Sequence, residues 1–118
     1  MSLLVNREVD DLPYPHNLLC KLGCPLDNKD YPSNEFIEAF EYELISADVN
    51  KEKKNFYMLL MYYSQIYLLA DIGSEYNISR QAVQTRIQKM IKRLLHPTRI
   101  KRIEELVYEE NRKYAENK

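Results

Sequence analysis

This chain of 118 residues has little glycine and no tryptophan: two glycines, two cysteines and five prolines are all it contains of the residues that usually punctuate or staple a fold. The prolines are also unevenly placed. Pro13, Pro15, Pro25 and Pro32 crowd the first segment, and only Pro97 follows, so the stretch 33–96 is free of them. That pattern predicts a helical protein behind an irregular leader. With 45% apolar residues the chain can bury the core of one small domain, which argues against disorder throughout.

Long hydrophobic runs are missing too. The longest uncharged run, Asn55 to Ala70, contains Asn55, Ser64 and Gln65 and falls short of the roughly 20 apolar residues a bilayer span requires. No membrane helix is expected. The N-terminal residues lack the basic-then-apolar layout of a signal peptide, so the expected location is the cytoplasm. His16, Cys20 and Cys24 stand at i, i+4 and i+8, the spacing of metal ligands on a helix. A structural zinc site needs four ligands, only His96 remains as a further imidazole, and the surrounding Pro13, Pro15, Gly23 and Pro25 oppose one continuous helix. Neither a metal nor another cofactor is expected, nor a disulfide in a cytosolic chain. Two histidines in unrelated contexts, with no nucleophile–base pair or carboxylate constellation, also leave no enzyme chemistry to assign.

One sign of charge is absent from a whole segment. Residues 79–103 carry Arg80, Arg86, Lys89, Lys92, Arg93, Arg99, Lys101 and Arg102 and not one carboxylate. Residues 1–78 hold six basic against thirteen acidic side chains and residues 104–118 three against five, so a net charge of −1 conceals a basic stripe between acidic ends. A solvated helix face is the plain reading of a charge run, but a stretch this long without an acid is what a phosphate-binding surface requires.

Along the chain, residues 1–32 show no sustained period and are expected to form loops and turns. Ser33 is placed to cap a helix over about 34–46, with Phe36, Ile37, Phe40 and Leu44 on one face and Glu35, Glu38, Glu41 and Glu43 on the wet remainder. That acidic face is either simple solvent surface or a contact for a basic partner. A second helix is expected from near Asn50 to about Tyr63, with Lys51, Lys53 and Lys54 in its opening turn and Phe56, Leu59, Leu60 and Tyr63 inward. The division that follows is an acidic leader with one helix over 1–49, a helix-turn-helix domain over 50–102 and a helical extension over 103–118. The segment from Ile100 to Lys118 looks helical, with Ile100, Ile103 and Leu106-Val107 on one side, where they can pack on the core, pair two subunits or meet a larger partner.

The informative stretch runs from Leu68 to Val83 and reads as helix, tight turn, helix. Gly73 permits a close crossing, Ile72, Ile78 and Val83 fill the wedge, Asn77 tolerates a left-handed conformation, and Ser79 caps the next helix. At 100° per residue, the helix from Arg80 to about Leu95 gathers Val83, Ile87, Met90, Ile91 and Leu94 as core. Arg80, Gln81, Gln84, Thr85 and Gln88 fall within an arc of about 140° on the other side. Arginine forks onto guanine and glutamine onto adenine in the major groove, while Lys89, Lys92 and Arg93 stand where phosphates would pass. Arg86 lies near the core boundary, suited to a phosphate or a salt bridge.

Four pieces, Tyr62-Tyr63, Leu69-Ala70-Asp71-Ile72-Gly73, Ile78-Ser79-Arg80-Gln81-Ala82-Val83 and Lys92-Arg93-Leu94, with the closing His96-Pro97-Thr98-Arg99, resemble region four, the promoter-binding C-terminal domain of bacterial sigma factors. The resemblance spans Phe56 to Arg99 without gaps. It implies an all-α fold, double-stranded DNA as partner, base-facing roles for Arg80, Gln81, Gln84 and Thr85, and contact with RNA polymerase in transcription initiation. Primary sigma factors usually carry Glu where Gln81 stands and Arg where Ala82 and Gln84 stand, which leaves the preferred hexamer open. Val83-x-x-Arg86-Ile87 is closer to extracytoplasmic and phage-type variants, and Ser79 to Val83 is also similar to region-four-like proteins tied to the signal recognition particle operon. The first 50 residues show none of the aromatic and basic helices with which a complete sigma factor melts a promoter, so DNA opening by this chain alone is not expected. A different class of function on the same fold is a protein-binding adaptor that never touches DNA.

Overall fold

A computed structural model describes residues 12–117, and the described chain is all-helical, with no strand. The helices are α1 (His16–Leu22), α2 (Asn34–Ala47), α3 (Lys54–Tyr63), α4 (Leu69–Tyr76), α5 (Arg80–Leu94) and α6 (Pro97–Glu116). The expectations on 1–11 and on residue 118 lie outside the described residues. Among those described, no helix is long and apolar enough to cross a membrane.

The leader departs from its expected course of loops and turns. Its prolines flank a helix instead of interrupting one: the Asn17 and Leu19 amides donate to the Pro13 and Pro15 carbonyls, and Gly23, at φ 84°, closes the other end. The drive for this short helix is tertiary. Leu18, Leu19 and Leu22 are buried in the common core, each a gain of about 1.5–3 kcal/mol over exposure. Helix α2 begins as its sequence indicates, with Ser33 Oγ accepting the Phe36 amide at 3.2 Å. Phe36, Phe40 and Leu44 are buried, the two rings stacked with centroids 5.7 Å apart.

The start of α3 needs a correction. The helix begins at Lys54, not near Asn50, because the left-handed backbone of Lys53 breaks any helix running in from Asn50, and two side chains hold the turn that precedes it. Asn50 Oδ1 accepts from the Glu52 amide at 2.9 Å, and Asp48 accepts from Asn50 at 2.9 Å and from Phe56 at 2.9 Å. Lys53 then adopts a left-handed φ of 58° and sends its ammonium to the Asp48 carbonyl at 2.8 Å. Lys51 and Lys53 are therefore loop residues, not parts of an opening helical turn.

Helix α5 occupies the centre and touches α2, α3, α4 and α6, while α2 and α6 pack on each other. One continuous core contains Leu18 and Leu19 from the leader, Phe40 and Leu44 from α2, Met58 and Leu59 from α3, Ile72 from α4, Met90 and Leu94 from α5, and Ile103 from α6. The boundary expected between 102 and 103 falls inside α6, which runs unbroken from Pro97 to Glu116. Of the roles open to this C-terminal segment, packing on the core is the one observed: Ile103 and Val107 are buried.

Candidate nucleic-acid interface

The turn between α4 and α5 fixes where the basic face points. Asp71 Oδ2 accepts the Leu68 amide at 3.0 Å at the start of α4, and Asn77, at φ 57° and ψ 41°, ends the helix. The Ile78 amide donates back to the Gly73 carbonyl at 2.9 Å. A Cβ on Gly73 would stand 2.6 Å from the Ile78 carbonyl oxygen, so only glycine allows α4 this near the first residues of α5. Ser79 Oγ accepts the Ala82 amide at 3.0 Å, and Ile72 and Val83 fill the wedge with no exposed surface.

Beyond the cap, α5 divides as its angular pattern requires. Val83, Ile87, Met90, Ile91 and Leu94 are buried. Arg80, Gln81, Gln84, Thr85, Gln88, Lys89 and Lys92 are exposed, and Arg93 and Arg86 are half-buried. Among the described residues none of these side chains makes an ion pair with a carboxylate. From Arg80 to Lys92 the face extends over about 18 Å of helix, enough to reach several base steps along a groove.

Not every cation of the basic segment joins this face. Arg99 and Arg102, on α6, reach across to Glu43 of α2, at 3.7 Å and 3.1 Å. Glu43 is thus buried, not part of a wet acidic surface as its position in the sequence indicates, because two guanidinium groups cover it. The five cations of α5 thus stay out of the ion pairs, as does Lys101, which is exposed on α6. The His96-Pro97-Thr98-Arg99 ending is likewise structural: His96 Nδ1 accepts the Thr98 amide at 3.4 Å, Pro97 opens α6, and Arg99 reaches Glu43.

Two further carboxylates of the acidic helix also have partners. Tyr14 donates to Glu41 at 2.7 Å, with burial the first cause of a raised phenol pKa and the Glu41 carboxylate the second, and Glu35 lies 3.8 Å from Lys113. In the leader, the His16 Nε2–H donates to the Asn28 carbonyl at 2.7 Å, and burial pushes the Cys24 thiol up to about 11. Among the described residues no three His, Cys, Asp or Glu side chains group as metal ligands.

Two features near α5 are not evident from the sequence pattern. A groove of about 360 Å³ runs along it, lined by Lys21, Tyr62, Tyr63, Gln84, Gln88 and Lys92 among others. Lys21 arrives there from the leader, and the only signal for it is the short spacing of Leu18, Leu19 and Leu22 that turns the lysine outward. The second is the connection from α3 to α4, where Ile66 is 77% and Leu68 73% exposed, flanking Tyr67. These apolar residues look like core in a run of uncharged sequence; Gln65, at φ 65°, ends the helix and swings them out. The chain matches no protein-family model, no curated protein and no solved structure.

Proposed function

We propose that this protein binds double-stranded DNA by laying the exposed face of α5 in the major groove, as a sigma-like transcription regulator that also contacts RNA polymerase. The observation that carries this reading is the set Arg80, Gln81, Gln84, Thr85, Gln88, Lys89, Lys92 and Arg93. These eight side chains share one helix directly after a tight turn, and none is paired with a carboxylate among the described residues. Water-accessible, unpaired cations beside amide side chains on one helix suit phosphates and base edges. Arg80, Gln81, Gln84 and Thr85 are assigned to bases; Lys89, Lys92 and Arg93 to the backbone.

Fluorescence anisotropy with a labelled duplex tests it. If about five phosphates are neutralised, log affinity falls against log salt with a slope near −4.5. The double variant Arg80→Glu, Lys89→Glu should not bind, while its circular dichroism and melting stay those of the parent. Binding that ignores salt, or that survives the double variant, rejects the reading.

The adaptor alternative has one observation in its favour, the exposed Ile66-Tyr67-Leu68 connection, since apolar surface of this kind is commonly covered by a protein. In the leading proposal the same loop is assigned to the polymerase contact, on its exposure alone. Pairing of two subunits through α6 has less behind it, because Ile103 and Val107 face inward and only Tyr108 stays prominent outside. Pull-down with and without nuclease separates the classes: partners that persist after nuclease, with no shift of duplex DNA, favour the adaptor.

A further inference from the structure

The groove beside α5 has a lysine on each bank and no carboxylate in its lining, and we infer that it seats the sugar–phosphate strand adjoining the base-reading face, with Lys21 of the leader as a phosphate contact. This inference rests on the proposed DNA binding and adds the leader to the interface. On one side Gln84, Gln88 and Lys92 follow one another at i, i+4 and i+8, a single stripe along α5 that the base-reading face shares. Across from them stands Lys21, exposed in the last turn of α1 and without an ion pair among the described residues. The ring of Tyr62, edge-on to Tyr63 at 5.1 Å between centroids, forms a wall, and Ile87 and Ile91 lie beneath.

The position of Lys21 is imposed by packing, not left to a flexible arm. Leu18 and Leu19 carry no exposed surface, and the Asn17 side-chain amide donates to the Tyr63 carbonyl at 2.8 Å, fastening α1 to the end of α3. A strand of duplex backbone offers what this groove lacks: anionic oxygens for the ammonium groups on its two banks and deoxyribose faces for an aromatic and aliphatic lining. A cationic occupant would meet two ammonium groups of its own sign. Because the contact is to phosphate, it adds affinity evenly over DNA sequences, whereas Gln84 discriminates among them.

Lys21→Gln and Lys21→Arg, made in the full chain and titrated with several duplexes of different sequence, test the inference. Lys21→Gln is expected to weaken every duplex by the same several-fold factor and to reduce the magnitude of the salt slope by about 0.9, with Lys21→Arg close to the parent and both melting curves unchanged. Parental affinity and slope for Lys21→Gln, in a protein whose binding the Arg80→Glu, Lys89→Glu variant still abolishes, would remove the leader from the interface and leave the DNA reading standing. A loss confined to some sequences would refute the phosphate role. If the parent protein binds none of the duplexes, both readings fall together.

Discussion

Lys89 on α5 and Arg102 on α6 belong to the same basic segment, free of carboxylates, yet their surroundings differ in kind. Helix α5 keeps its cations and amides out of ion pairs and most of them exposed; the α2–α6 side spends its polar groups internally, with Arg99 and Arg102 on Glu43 and with Ser33 bonded to Glu110 at 2.8 Å and 2.9 Å. The contrast teaches that a charge run is not one functional unit. Partner carboxylates far away in the chain decide which of its members remain available, and α2 supplies one for α6 but none for the outward face of α5.

The contrast can be broken most forcefully at its hinge. Gly73→Ala places a methyl group against the Ile78 carbonyl, and a loss of about 2–3 kcal/mol in urea unfolding is expected, together with the proposed DNA affinity, since the turn aims α5. Near-parental stability would mean that the turn is looser than its geometry implies.

Next in size is Asp48, which lies on the inward side and belongs to neither basic surface. Burial would raise its pKa, but hydrogen bonds from Asn50, Phe56 and Asn55 outweigh it and hold the carboxyl below its ordinary value. A pKa lowered by folding gives stability that is complete above the unfolded value, about 3.9, and is lost as pH falls through the folded one. Melting temperature should therefore drop below about pH 4 in the parent and less steeply in Asp48→Ala, which starts about 1–3 kcal/mol less stable near neutrality because the Phe56 amide is left without its partner. Equal acid sensitivity of parent and variant would exclude Asp48 as the titrating group.

Smaller again is Glu43→Gln. Arg99 and Arg102 keep part of their surface in water, so the loss should be about 1–2 kcal/mol, and the salt slope for DNA should change by less than about one unit. A large change in slope would show that these arginines serve phosphates after all. The least effect on stability is expected from Arg80→Ala and Gln88→Ala, within about 0.5 kcal/mol each, since both side chains are exposed and unpaired. Together with Glu43→Gln they form a double dissociation: one set of substitutions moves binding and spares stability, the other does the reverse.

The helix-turn-helix was legible because each of its special positions has a local steric cause. Asn77, Ser79 and Gly73 act on backbone atoms within a few residues, and the division of α5 follows from 3.6 residues per turn alone. Ser33 and the buried Phe36, Phe40 and Leu44 were readable for the same reason. The leader was not, because prolines mark breaks equally well whether they interrupt a helix or flank one, and only burial of Leu18, Leu19 and Leu22 distinguishes the two. Asp48 escaped notice since its acceptors serve amides as far as eight residues away, inside what resembles the next helix.

Order along the chain thus determined which surfaces this protein possesses: an all-helical body, a tight turn, and one face of α5 that collects arginine, glutamine and lysine. Only the tertiary structure decided which charges stay free and which neighbours stand beside that face. Helical periodicity depends on contacts within a turn or two, but pairing Glu43 with Arg102, or bringing Lys21 alongside Gln88, requires the packing of helices distant in sequence.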